Sequence, residues 1–156
     1  MAKEDRRRST FDWFVANPTI EIRPWSDPVI DQLGFDARHV YVETYWLPIL
    51  GPSAVLAARR IADWLDPKPA GIRIELVEFG ASLGIGAGTG RHTQINRTLG
   101  RLIDFGMARI AADHLDVYTT WPPVPLRLRQ RLPLSLLDAL SDQDRADHDQ
   151  RCRSAT

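Results

Sequence analysis

Residues 75–121 constrain the fold more than any other part of the chain. They read as two short helical patterns joined by a turn in which every second residue is glycine, and then two brief β-prone runs. The first pattern, 75–83 (ELVEFGASL), sets Leu76, Phe79, Gly80 and Leu83 on one face. The second, 93–105 (TQINRTLGRLIDF), turns Ile95, Leu99, Leu102 and Ile103 inward, and Gly106 can end it. Glycine inside a helix costs roughly 1 kcal/mol against alanine. Gly80 is therefore expected to serve close approach of the second helix. The runs 107–111 and 116–121 predict a hairpin with a tip near 112–115.

The flanks extend the pattern. Residues 52–66 are helical throughout, with Pro52 in the first turn, where its missing N–H costs nothing. Val55, Leu56, Ala58, Ile61, Trp64 and Leu65 recur at helical spacing, and the Pro67–Gly71 segment ends the helix. Residues 72–74 alternate as a short strand. Residues 11–30 carry Pro18, Pro24 and Pro28 among Trp13, Phe14 and Trp25, which predicts an extended strap packed on the domain, with 20–23 as a short strand. Beyond the prolines at 122, 123 and 125, residues 126–131 and 135–140 read as short helical pieces. The expected class is mainly α (α+β): a winged helix-turn-helix with a small antiparallel sheet and an N-terminal extended strap. The domain should span 11–140. Residues 1–10 are expected as a disordered N-terminus and 141–156 as a disordered acidic tail, because both are polar and charged.

Composition narrows the function classes. The chain has 156 residues, enough for one domain with a sizeable core. Twenty basic residues balance twenty acidic ones. A role on nucleic acid would thus rest on charge distribution, since phosphate neutralisation supplies much of such affinity. The distribution is uneven, with Lys3, Arg6, Arg7 and Arg8 at the start, Arg91, Arg97 and Arg101 in the middle, and aspartates from Asp138 onwards. The lone Cys152 cannot form an intramolecular disulfide. With no secretory pattern and no membrane-length apolar run, the expected setting is cytoplasmic, with no membrane partner.

The chemistry expected of the motif is binding. A helix that enters the major groove must expose polar and basic side chains while its back packs on the domain. Thr93, Gln94, Arg97, Thr98 and Arg101 form such a stripe, with Gln94 suited to adenine and Arg97 to guanine. Arg91 and the helix N-terminus are placed for a phosphate, His92 to cap the helix or meet a phosphate, and Arg109 to touch the backbone beside the wing. The plainer alternative is the solvated face of a core helix. Winged helices also dock proteins, so double-stranded DNA competes with a homodimer or another protein, as in a bacterial or phage assembly. The glycines at 84, 86, 88 and 90 lack both the dinucleotide fingerprint and the P-loop lysine, and read as a flexible turn. The histidines at 39, 92, 114 and 148 have no metal-ligand spacing, and no serine sits in a nucleophile elbow. No catalytic residue, metal or cofactor is expected, and the leading expectation is a DNA-binding transcription regulator.

Several stretches carry a resemblance. Residues 42–53 (VETYWLPILGPS), the helix ending at 62–66 (ADWLD), the turn 83–92 (LGIGAGTGRH), the step 105–109 (FGMAR) and the late 131–133 (RLP) stand together in this order. In these the chain resembles a family of small, mostly uncharacterised actinobacterial winged-helix (helix-turn-helix) proteins. The resemblance covers residues 42–137. It implies a winged helix and a bacterial cytoplasmic setting, and brings neither catalytic residues nor a ligand.

Overall fold

The computed structural model describes residues 2–155. In chain order it contains α1 (Lys3–Ala16), β1 (Thr19–Trp25), α2 (Pro28–Leu33) and β2 (Phe35–Asp36). A π-helical turn, Val42–Trp46, leads into α3 (Leu47–Leu50) and α4 (Pro52–Leu65). Then come β3 (Ile72–Glu75), α5 (Leu76–Ser82), α6 (Gln94–Asp104), β4 (Ala108–Ala111), β5 (His114–Tyr118) and β6 (Thr120–Trp121). Two helices, α7 (Leu126–Arg129) and α8 (Leu134–Ser154), complete the chain. The architecture is mainly α with a small mixed sheet.

Local chemistry accounts for the helices that frame the motif. Gly51 takes a positive φ of 86°, which lets the chain turn sharply from α3 into Pro52 and start α4. The buried side of α4 is Ala54, Val55, Ala57, Ala58, Ile61, Ala62 and Leu65. Thr93 caps α6, its hydroxyl accepting from the Asn96 N–H, and Gly106 at φ 77° turns the chain out of the helix end. A Cβ on Gly80 would lie 2.7 Å from the Gly86 carbonyl oxygen and 3.3 Å from Ile95 Cβ. The glycine thus admits both the turn and α6, the close approach its place in the sequence predicts.

The sheet differs from the expected one. Its strand order is β3-β1-β5-β4, with β1 in the middle. β1 runs antiparallel to β3, Ile20 opposite Ile74, and parallel to β5, Ile22 opposite Leu115. The β4–β5 hairpin forms as expected, but with a tighter tip: Ala111 lies opposite His114, so His114 and Leu115 are strand rather than tip, and Thr120 and Trp121 leave it to pair with β2. The sheet is therefore mixed, not antiparallel, and the expected strap of 11–30 is extended only over 19–25, as a central strand, while 11–16 and 28–30 are helical. The cause lies in β1 itself: Ile20 and Ile22 alternate into the core and are 1% and 0% exposed. Residues 72–74 never meet the hairpin because β1 stands between them.

The ends also depart from expectation. Residues 3–10, expected as disordered, form the first half of α1, which is anchored by buried Phe14 and half-buried Phe11 and Trp13. Residues 141–154, expected as a disordered tail, continue α8, whose one buried residue is Leu140. The core gathers Trp46 and Trp121 in an edge-to-face pair, with Phe79, Ile61, Leu99 and Leu115. The Trp46 indole donates to the Pro122 carbonyl at 2.9 Å and that of Trp121 to Tyr118 at 3.1 Å, so neither buries an unpaired N–H.

Candidate functional site

α6 is packed on three sides. Ile95, Leu99 and Leu102 face the core. On one flank, Gly100 receives the ring of Phe11 from α1. On the other, Thr98 meets the first turn of α4, its hydroxyl 3.3 Å from the Ser53 hydroxyl while donating to the Gln94 carbonyl at 2.7 Å. Gln94, Arg97, Arg101 and Asp104 are left exposed. At 100° per residue these four positions fall in an arc of about 80°.

The expected site residues therefore separate into two groups. Gln94 and Arg97 stand free on the exposed arc. The Arg97 side chain makes no hydrogen bond or ion pair among the described residues. Arg101 shares the arc but is tethered: it donates to the Ile49 carbonyl at the end of α3 at 2.8 Å and lies over the Phe105 ring, as does Arg131. Thr98 does not belong to the exposed stripe. It is 4% exposed, because α4 closes over that flank. Thr93 serves as the helix cap.

Arg91 and Arg109 are engaged as well. Arg91 pairs with Asp12 at 2.8 Å and donates to the Arg8 carbonyl. His92 caps nothing and sets its ring edge-to-face against Phe11. Arg109 pairs with Asp116 at 2.9 Å and covers the face of Trp25, which in turn stacks on Tyr118. Asp116 is buried and also lies 3.0 Å from the His114 ring nitrogen. This folds the Arg109 head back onto the sheet.

Two contributions escape a reading of the sequence. Asn96 is buried and its amide donates to the carbonyls of Gly90 and Arg91, holding the glycine turn against the start of α6. α1 is the other. It is clipped along α6 by Arg7–Asp104 at one end and Asp12–Arg91 at the other. The signal for it was the Phe11, Trp13 and Phe14 run, which a charged decapeptide before it obscured. Between α1 and α6 lies a groove of about 420 Å³, and a wider hollow of about 730 Å³ lies between α1 and residues 91–92; Arg7, Phe11 and His92 line both.

No protein-family model matches the chain, and neither a curated protein nor a solved structure does. Among the described residues no cluster of histidine, cysteine or carboxylate side chains is placed to hold a metal ion. No helix there is long and apolar enough to cross a membrane.

Proposed function

We propose that this chain is a winged helix-turn-helix protein that binds double-stranded DNA, with α6 as the groove-reading helix and a role in transcription regulation. The succession α4, β3, α5, α6 and the β4–β5 hairpin has the order of that fold, and the resemblance of residues 42–137 points the same way. One observation carries the reading: α6 holds its aliphatic side in the core while Gln94, Arg97 and Arg101 line its open arc. Amide and guanidinium groups three and four residues apart suit base edges and phosphates.

The test is a salt-titrated mobility shift with random duplex DNA. The wild type is expected to bind and to weaken as salt rises. Arg97→Ala, which removes a side chain with no structural partner, should weaken binding about tenfold, in the range of a lost base or phosphate contact. The double variant with Arg101→Ala should flatten the salt slope further, with a melting curve recorded because Arg101 also holds Ile49. Absence of wild-type binding at low salt, or an unchanged slope in the double variant, overturns the reading.

A second reading, docking of a protein, is favoured by one feature: α1 and α4 narrow the open face of α6 to four side chains. Light scattering separates the two. A stable oligomer whose contact buries Arg97 would favour docking.

A further inference from the structure

We propose that α1 is a second DNA-contacting element, whose Lys3, Arg7 and Arg8 face grips the sugar–phosphate backbone beside the groove that α6 enters. This rests on the DNA reading above. It goes beyond that reading by assigning a surface to a helix outside the helix-turn-helix.

Charge carries the first part of the argument. The two hollows beside α1 are lined by Lys3, Arg7, Arg8, Arg91, Arg97 and Arg101 against Glu4 and Asp104, with Asp12 paired to Arg91. In a chain of zero net charge, that is a concentrated positive trough. Its complement is a polyanion. α6 supplies only Arg97 and Arg101 of these six cations, so neutralising α6 alone leaves four of them.

Geometry carries the second. The major groove is about 12 Å wide and admits one helix. Packed helices lie about 8–10 Å apart. With α6 in the groove, a helix against its flank cannot share it and falls over the rim, where the phosphates run. α1 is held on that flank by the Phe11 ring on Gly100, by the pairs Arg7–Asp104 and Asp12–Arg91, and by buried Phe14. The helix presents Lys3, Arg7 and Arg8 to the trough, whereas Arg6 stands roughly 140° round the helix from Phe11.

The experiment compares duplex binding across salt for the full chain, for Lys3→Gln/Arg7→Gln/Arg8→Gln, and for the charge-matched control Arg6→Gln/Arg73→Gln/Arg127→Gln. Glutamine keeps helix propensity close to that of lysine and arginine. Each lost phosphate contact lowers the slope of log K against log salt by about 0.9, so the α1 variant should fall by about 2–3. The control should fall by less than 1, and preference among duplex sequences should not change. Arg8→Gln alone, which breaks no ion pair, should fall by about 1 and keeps the test valid if the triple variant misfolds. Equal falls in variant and control overturn the proposal, as does an unchanged slope. Tighter binding by the α1 variant also overturns it, since α1 would then act as a cover. If these occur while Arg97→Ala still weakens binding, the α6 reading survives. If the wild type binds no duplex, both fall.

Discussion

The ring of Phe11 rests on Gly100, its Cε1 lying 3.5 Å from where a Cβ on that glycine would sit. That is ordinary contact distance, so α1 is seated on α6 with room for one methyl group. Gly100→Ala should therefore gain helix propensity, roughly 1 kcal/mol, without displacing Phe11. In a chain of this size the melting temperature should rise by about 2–4 °C.

Gly80 lies under the opposite constraint. A methyl there meets the backbone carbonyl of Gly86 at 2.7 Å, and backbone cannot swing aside as a side chain can. Gly80→Ala should lose about 1–3 kcal/mol from overpacking, more than the propensity gain returns. Thermal melts of the two alanine variants should move in opposite directions. A rise in both would mean that the glycine turn yields freely.

The contrast shows what was legible in the sequence. Helical periodicity located α4, α5 and α6 to within a residue or two, because their apolar faces are one-sided. It also flagged Gly80 as a contact point. It could not place α1, whose large apolar residues bunch at 11, 13 and 14 after eight polar ones, nor reveal that β1 would split the expected sheet. That pairing is non-local: Ile22 finds Leu115 across most of the chain. The exposed stripe was half legible. Gln94 and Arg97 follow from helical spacing, but the burial of Thr98 depends on Ser53, and the engagement of Arg109 depends on Asp116 and Trp25. Spacing along one helix says nothing about what covers its flank.

Tyr41 joins the central segment to the polyproline turn. Its ring stacks on Phe35 at 3.8 Å, and its hydroxyl accepts from the buried Val124 N–H at 3.0 Å. Tyr41→Phe keeps the stack and strands that N–H, at a cost of about 1–3 kcal/mol. Burial also pushes the Tyr41 phenol up. A raised phenol favours the neutral folded form, so its contribution is complete below the ordinary phenol value near 10 and is lost as pH climbs above it. Tyr118 is raised by burial as well and stays in both proteins. Urea unfolding at pH 8 and pH 11 should show a smaller alkaline loss in Tyr41→Phe than in wild type.

Arg38 ties β2 to the end of α4. It donates to Asp36 at 2.8 Å and to Asp63 at 3.0 Å, and also bridges Asp66. The guanidinium beside Asp36 holds that carboxyl below the usual aspartate range, chiefly through the direct hydrogen bond. A lowered carboxyl stabilises the fold above the ordinary value of about 4, and the contribution disappears as pH falls through the folded value. Asp63 and Asp66 are mostly exposed, so each pair contributes at most about 1 kcal/mol. Arg38→Gln should be slightly less stable at pH 7 and lose less on acidification from pH 5 to pH 2. Parallel acid titrations of the two proteins, followed by circular dichroism, check this. Identical acid profiles would show that the cluster contributes nothing.

The hairpin tip offers the sharpest local test, because one residue there is in the wrong conformation for its type. Ala112 has φ 55°, in the two-residue connection between the paired Ala111 and His114. The left-handed region costs an L-residue roughly 1–2 kcal/mol, while glycine adopts it freely and asparagine tolerates it. Ala112→Gly relieves the strain but gains freedom in the unfolded chain, which offsets about 0.5–1 kcal/mol of it. Ala112→Asn avoids most of that offset. Ala112→Val adds a branched side chain to the same φ and should be the least stable. The expected order of melting temperature is Asn and Gly above Ala, and Ala above Val. The tip lies outside both hollows beside α1, so none of the three substitutions should change the Arg97-dependent part of the salt slope. A melting series with Val above Gly would mean that the connection does not hold the left-handed turn. The pairing of β4 with β5 would then need another anchor, and the Arg109–Asp116 pair across the hairpin is the one in place.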